Sequence, residues 1–392
     1  RDLIVTGVQT CALPIFSGLL ELNFIGLERI TLNPALTSHS LKVILTNQAA
    51  SGAYIASPTF PTYHYCWFRD GSFIAYAMDR YGQHESAAAF HQWAAEALLK
   101  RSQTVQDALA DIRSGRPLAP QHELHTRYTL DGEDGTQEEW PNHQLDGFGT
   151  WLWALGEHQR LSGKKLPEAT LQAAKLAAEY LAALWNHPCY DCWEEYPQEI
   201  HTATLGAIYG GLRSLTEMRP NQRFAAVLSE ISRKIEREAV YKDYLVKFPG
   251  SYTVDASLIG LAVPYQMFSV DDPVFSATIR RIEAALLREG GVHRYPTDTY
   301  YGGGAWILLT GWLGWYYVRS GQIEKAKAAL AWIEQQADAE GNLPEQVPSG
   351  LNDPNYFQPW VERWGPPATP LLWSHANYLI LAQEIETAGS GK

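Results

Sequence analysis

The sequence predicts an all-α fold, a closed double ring of six inner and six outer helices. Three observations predict it. Twelve helical segments can be read from Ser38 onward. They alternate between glycine-rich stretches that are apolar nearly all round and amphipathic stretches; a helix apolar on every side is buried, whereas one with a charged face lies at the surface. The connections alternate too, crowded with aromatic and charged residues before each buried helix and plain after it.

In order, the segments run 38–49, 70–82, 84–113, 143–162, 167–186, 201–217, 220–240, 255–267, 272–289, 304–320, 322–337 and 371–387. The even-numbered ones form the inner ring. Residues 205–212 read LGAIYGGL, and residues 302–318 carry no charge. The latter stretch falls short of the ~20 residues a membrane span requires, and its glycines suit close contact between inner helices. The odd-numbered segments have charged faces, as in RFAAVLSEISRKIEREAV (223–240) and IEKAKAALAWIEQQA (323–337). Neighbouring helices are antiparallel, so every loop that precedes an inner helix lies at one end of the ring. One face therefore carries the unusual residues, while the other is closed by short turns such as Arg319-Ser320-Gly321. Residues 124–130 (LHTRYTL) alternate like a strand and predict a hairpin folded over the active face.

Composition narrows the function. The 392 residues are 46% hydrophobic, enough for a large core, and no linker or composition shift interrupts them, so residues 38–392 read as a single domain. A net charge of -12 disfavours nucleic acid and anionic membranes as partners, since both call for basic surface. A neutral sugar is indifferent to it. Fourteen Trp and 21 Tyr suit a site that stacks flat apolar faces. Residues 5–15 resemble the conceptual translation of a sequencing-library adapter; residues 1–15 are therefore read as non-native and 16–37 as a residual linker, both outside the fold reasoning. Without Cys11, three cysteines remain (Cys66, Cys189, Cys192), an odd number that argues against a disulfide framework. No second pair completes a zinc site with Cys189 and Cys192. His64, His143, His201, His293 and His375 are scattered singly, and no metal or cofactor is implied. The terminus does not reveal localisation; the free thiols and the lack of a recognisable signal peptide lean towards the cytoplasm.

The chemistry centres on residues 191–196, DCWEEY, where two carboxylates adjoin an indole. Far downstream, residues 343–346 (LPEQ) hold Glu345 in a loop. Two carboxylates amid Trp and Tyr are what cleaving a glycosidic bond requires, one to protonate the leaving oxygen and one to activate water or attack the sugar. Aromatic neighbours should keep Glu194 protonated, as an acid catalyst needs, while Glu345 is expected to stay ionised in a wetter setting. Room for a water between them puts the two carboxyls roughly 6.5–9.5 Å apart. Asp255 reads as a helix N-cap. Asp70, following Arg69, reads as part of a polar cluster within reach of sugar hydroxyls. Residues 133–134 and 138–139 read as solvated loop acids.

Five motifs, WFRD (67–70), WPNHQLDG (140–147), DCWEE (191–195), RYPTDTYY (294–301) and PEQ (344–346), with LLWSHA (371–376) as a sixth, fall in one order. In that order the chain resembles the glucoamylase family, glycoside hydrolase family 15, over about residues 38–383, as a bacterial-type member shortened at its N-terminus. The resemblance implies an (α/α)₆ barrel with Glu194 as general acid and Glu345 as general base. It implies that Arg69 and Asp70 grip the hydroxyls of the non-reducing-end glucose, helped by Tyr63 and Trp67. Trp140 and Trp193 would flank the scissile sugar. Glu195, Asp191, Arg294 and Asp298 would bind around the leaving unit or hold the acid in place, with Tyr300 and Trp306 lining the pocket. The implied activity is inverting, exo-acting hydrolysis of α-glucans or maltooligosaccharides without a cofactor. Trehalose or α-1,6-linked glucosides are alternatives on the same scaffold. A sugar-binding barrel that has lost catalysis is the alternative of another class, and the presence of both carboxylates argues against it. What Trp360, Glu362 and Trp364 do is left open.

Overall fold

The computed structural model describes residues 33–136 and 139–390. The reading of residues 1–15 as non-native, and of 16–32 as linker, lies outside the described residues. The described chain opens on outer helix α1 (Pro34–Thr46), followed by inner α2 (Phe68–Arg80), outer α3 (His84–Leu99) and α4 (Ser102–Arg113), inner α5 (Asp146–Ser162) and outer α6 (Glu168–Leu184). Inner α7 (Thr202–Met218) and outer α8 (Gln222–Glu238) follow, then a short inner 3₁₀ segment, Ala256–Leu261, with outer α9 (Pro273–Leu286). Inner α10 (Ile307–Arg319), outer α11 (Ile323–Gln335), a further helix α12 (Phe357–Trp364) and inner α13 (Leu372–Ser390) complete it. Around the inner ring each element packs on the next, α2 on α5, α5 on α7, α7 on the 3₁₀ segment, that on α10, α10 on α13, and α13 back on α2. The predicted double ring is the observed fold.

Close approach of the inner helices depends on glycine. A Cβ at Gly149 of α5 would stand 2.5 Å from the carbonyl oxygen of Ala207 in α7, and one at Gly211 would stand 2.3 Å from that of Gly149. Both distances are well inside van der Waals contact, so only glycine lets these two backbones touch.

Four elements depart from expectation. The eighth segment, expected as a helix over 255–267, is the 3₁₀ segment Ala256–Leu261. Pro264 offers no amide hydrogen and disfavours helical geometry in the residue before it, so a full helix cannot propagate. Asp255 does cap it, accepting from the Ser257 amide at 2.8 Å. The long segment expected at 84–113 breaks at Lys100 and Arg101, and the break brings the Arg101 guanidinium to the carbonyl of Ala97 and to Asp134, each at 2.6 Å. Residues 34–37 belong to α1 rather than to a linker, with Asn33 accepting from the Leu36 amide at 3.0 Å. Helix α12 was not expected at all.

Short strands tie the loops of the active face together. Strand β1 (Cys66–Trp67) pairs with β2 (Arg127–Tyr128), so the alternating 124–130 segment folds against the loop that enters α2. Strands β3 (Val240–Tyr241) and β4 (Tyr244–Leu245) form a hairpin. Strands β5 (Leu287–Arg288), β6 (Gly291–Val292), β7 (Ala305–Trp306) and β8 (Gln346–Val347) make one antiparallel sheet. That sheet fixes Glu345 beside the loop entering α10, forty residues upstream in sequence. Cys66, Cys189 and Cys192 are free and buried. Among the described residues no helix is long and apolar enough to cross a membrane.

Candidate active site

A cavity of about 380 Å³ opens at the end of the ring where the loops entering the inner helices converge. Twelve of the fourteen residues singled out from sequence line it: Tyr63, Trp67, Arg69 and Asp70 from the entry to α2, Trp140 from the entry to α5, Trp193, Glu194 and Glu195, then Arg294, Tyr300 and Trp306, and finally Glu345. Asp191 and Asp298 do not reach it. They are buried behind the wall and serve other side chains.

Asp191 shapes the turn that presents Glu194. Its Oδ1 accepts from the backbone amides of Trp193 and Glu195, each at 2.9 Å, and its carbonyl accepts from the Glu194 amide at 2.9 Å. The turn forces Glu194 to φ 67°. A left-handed conformation at a residue with a Cβ costs of order 1–3 kcal/mol and persists only where the surroundings dictate it. Behind the turn, Lys247 Nζ lies 2.9 Å from Asp191 Oδ2 and 2.6 Å from Asp255 Oδ2. The Trp193 indole donates to both oxygens of Asp255 at 3.1 Å. Burial disfavours the Lys247 charge, but Asp255 and Asp191 more than offset it and hold its pKa above the ordinary value. Asp255 is thus both the expected cap and the anchor of the Trp193 wall.

Glu194 is partly open to the cavity, and its Oε1 accepts from the Trp67 indole at 2.8 Å. Burial pushes its pKa up, against the pull of Arg69 and the Trp140 and Trp67 indoles. Glu345 differs from expectation. It is only 4% exposed, held by the phenols of Tyr63 (3.0 Å to Oε1) and Tyr300 (3.2 Å to Oε2), and burial pushes its pKa up to about 7. The wetter setting foreseen for Glu345 is therefore a correction. The proline loop leads straight into β8, inside the sheet, so the carboxyl faces rings rather than solvent.

Arg69 and Asp70 occupy the closed end. Arg69 donates to Gln144 at 2.8 Å and to Asp146 at 3.3 Å, and its guanidinium lies 5.2 Å from the Trp373 ring centre. Asp70 Oδ2 approaches Arg69 at 3.4 Å yet takes no hydrogen bond. Burial raises the Asp70 carboxyl to about 6, restrained by Arg69. Asp70 lines the cavity, and a carboxylate there can accept from a sugar hydroxyl.

On the opposite wall Asp298, fully buried, grips Arg294 through both carboxylate oxygens and takes the Tyr300 amide at 2.9 Å. Arg294 reaches Glu195 at 3.4 Å, and Tyr295 donates to the other Glu195 oxygen. Trp140 is backed by Arg127, whose guanidinium lies 3.9 Å from the indole centre. Trp360 of α12 meets the Tyr300 ring edge-on at 4.9 Å, and Arg363 and Trp364 complete the rim.

Sequence reasoning missed Lys247, Tyr295, Arg127 and Arg363, and it left Trp360 and Trp364 without a role. A lone lysine in the apolar run LVKF (245–248) was the available signal for Lys247. Of the five scattered histidines, His64, His201, His293 and His375 hydrogen-bond to backbone or hydroxyl partners as structural residues do.

The model of "Glycosyl hydrolases family 15" matches residues 35–352. The chain is 44% identical over 357 residues to "Isomaltose glucohydrolase" of Kribbella flavida, covering 89% of this chain and 92% of that protein. A glycosidase variant solved in complex with glucose superposes with a TM-score of 0.86 at 43% identity, covering 89% of this chain and 96% of that one. A glucoamylase from Saccharomycopsis fibuligera, 16% identical, shares the fold with a TM-score of 0.70 over 91% and 95% of the two chains.

Proposed function

Because the chain belongs to glycoside hydrolase family 15, we propose that it is an inverting, exo-acting α-glucosidase that releases one glucose from the non-reducing end of short α-glucosides. The carrying observation is that Glu194 and Glu345, from loops far apart in sequence, face one cavity whose floor holds Arg69 and Asp70. A terminal glucose enters with its hydroxyls on Asp70 and Arg69 and its faces against Trp67, Trp140 and Trp306. In this reading no sugar unit lies beyond the terminal glucose, which makes the action exo.

In this reading Glu194 protonates the glycosidic oxygen, its proton favoured by burial. Glu345, as in the family pattern, takes a proton from a water on the opposite side of the ring, and that water attacks C1. Tyr63 and Tyr300 orient the base and stabilise its anion. Burial raises both carboxyls in the free protein; the charge building on the sugar in the transition state favours an ionised Glu345 and a proton on the leaving oxygen. Arg294, Glu195 and Asp298 form a rigid block under the leaving-group side. Asp191 and Lys247 act by positioning Glu194.

For linkage, the 44% identical isomaltose glucohydrolase supports an α-1,6-linked disaccharide ahead of the α-1,4-linked oligosaccharides expected from sequence. Trp360, Arg363 and Trp364 of α12 line the same cavity, and in this reading they bound the leaving-group side, which suits short substrates. Side-by-side assays of isomaltose, maltose, maltotetraose and trehalose test this, with kcat/KM highest on isomaltose. Turnover of trehalose alone would refute the linkage assignment, and turnover of none would return the sugar-binding alternative.

A further inference from the structure

A second cluster lies away from the cavity. Asp79, nine residues and about 13 Å of helix beyond Asp70, is buried near the C-terminal end of α2. Its carboxylate meets Nδ1 of His84 at 2.8 Å and Nδ1 of His158, from α5, at 2.9 and 3.0 Å. His91 of α3 completes the group, its ring centre 5.0 Å from that of His158. The ligand-bearing atoms of Asp79, His91 and His158 all lie within 4.8 Å of one another.

His91 is the unexplained member. It is 2% exposed, and neither ring nitrogen has a hydrogen-bond partner. A polar ring taken out of water without a partner is costly, and native interiors rarely keep one without use. Burial, with His158 nearby, drives its pKa well below the ordinary value, which leaves a neutral ring with a lone pair to give. A hydrogen-bonded bolt made of Asp79, His84 and His158 would be satisfied without His91.

We propose that Asp79, His91 and His158 form a structural site for a divalent transition metal, best matched by zinc, that pins outer helix α3 to inner helices α2 and α5. Two imidazoles and one carboxylate are ligands zinc takes readily, at about 2.0–2.2 Å. Donors around such an ion stand roughly 3.4 Å apart, so the set closes with an inward shift of about an ångström. His84, partly exposed beside Asp79, opens an approach from solvent and stands next to the fourth position. The site is separate from catalysis, because none of its residues lines the cavity.

The test uses the whole chain, stripped with EDTA and titrated with ZnCl₂ by calorimetry, alongside a melting curve and the visible spectrum with CoCl₂. The site predicts one equivalent bound, a melting temperature that rises with zinc, and the intense bands of four-coordinate cobalt. His91→Gln and His158→Gln should each weaken binding at least tenfold while kcat/KM on the preferred disaccharide stays within twofold. Absence of stoichiometric uptake, uptake unchanged in both variants, or only the weak spectrum of hydrated cobalt would each overturn the proposal. The cobalt spectrum of the unaltered chain decides the matter even where a variant fails to fold.

Discussion

Tyr63 donates its phenolic hydroxyl to Oε1 of Glu345 over 3.0 Å, while the same hydroxyl lies 3.0 Å from that of Tyr300, which reaches the other oxygen. A buried carboxylate needs such donors to remain ionised. In its proposed role Glu345 must be ionised to take a proton from water, so activity should climb as pH rises through its pKa, about 7 in the free protein. Tyr63→Phe removes a donor that favours the anion, which raises that pKa further. The acid limb of the kcat/KM profile should move to higher pH in the variant; an unmoved limb means that Tyr63 does not support the base.

The two carboxyls should separate by leaving group. Glu194→Gln and Glu345→Gln each should lose roughly 10²–10⁴ in kcat on an unactivated disaccharide. On α-glucosyl fluoride, whose leaving group hardly needs a proton, Glu194→Gln should recover much of its rate and Glu345→Gln should not. The reverse pattern exchanges their roles.

The Lys247 bridge predicts a stability effect away from the substrate. Lys247→Met leaves Asp191 and Asp255 facing each other in the core without their cation. Removing one partner of a buried ion pair costs about 3–5 kcal/mol, so urea denaturation should show a loss of that order. The loosened turn should also lower kcat more than it raises KM.

The barrel was legible because helical periodicity and the alternation of loop character repeat around the ring, so each hairpin supports the reading of the next. The site was legible for the same reason: motifs such as WFRD and DCWEE fall where the topology gathers them. What escaped was set by tertiary packing. Pro264 ended an inner helix early, yet the apolar run around it looks helical. Glu345 lies in a sequence that reads as polar loop, but pairing of β7 with β8 carries it indoors. The motifs leave open whether Asp298 and Asp191 bind around the leaving unit or hold the acid in place, and only the fold shows them spent on Arg294 and on the Glu194 turn. Asp79, His91 and His158 come from three helices, with no spacing to announce them.

Asp70 should contribute through binding rather than protonation. Its carboxylate lines the cavity and can accept from a sugar hydroxyl, and hydrogen bonds to charged groups are worth about 1.5–3 kcal/mol. Asp70→Asn should therefore lower kcat/KM roughly 10- to 100-fold. Steady-state kinetics on isomaltose and maltose check this; a variant with unaltered kcat/KM would remove Asp70 from the substrate floor.

The most direct measurement is proton NMR of the reaction mixture in its first moments, before the sugar mutarotates. An acid at Glu194 and a water-activating base at Glu345 on opposite sides of C1 predict that the glucose released first is the β anomer. Initial release of α-glucose would contradict the account, since it requires a covalent intermediate in place of direct attack by water.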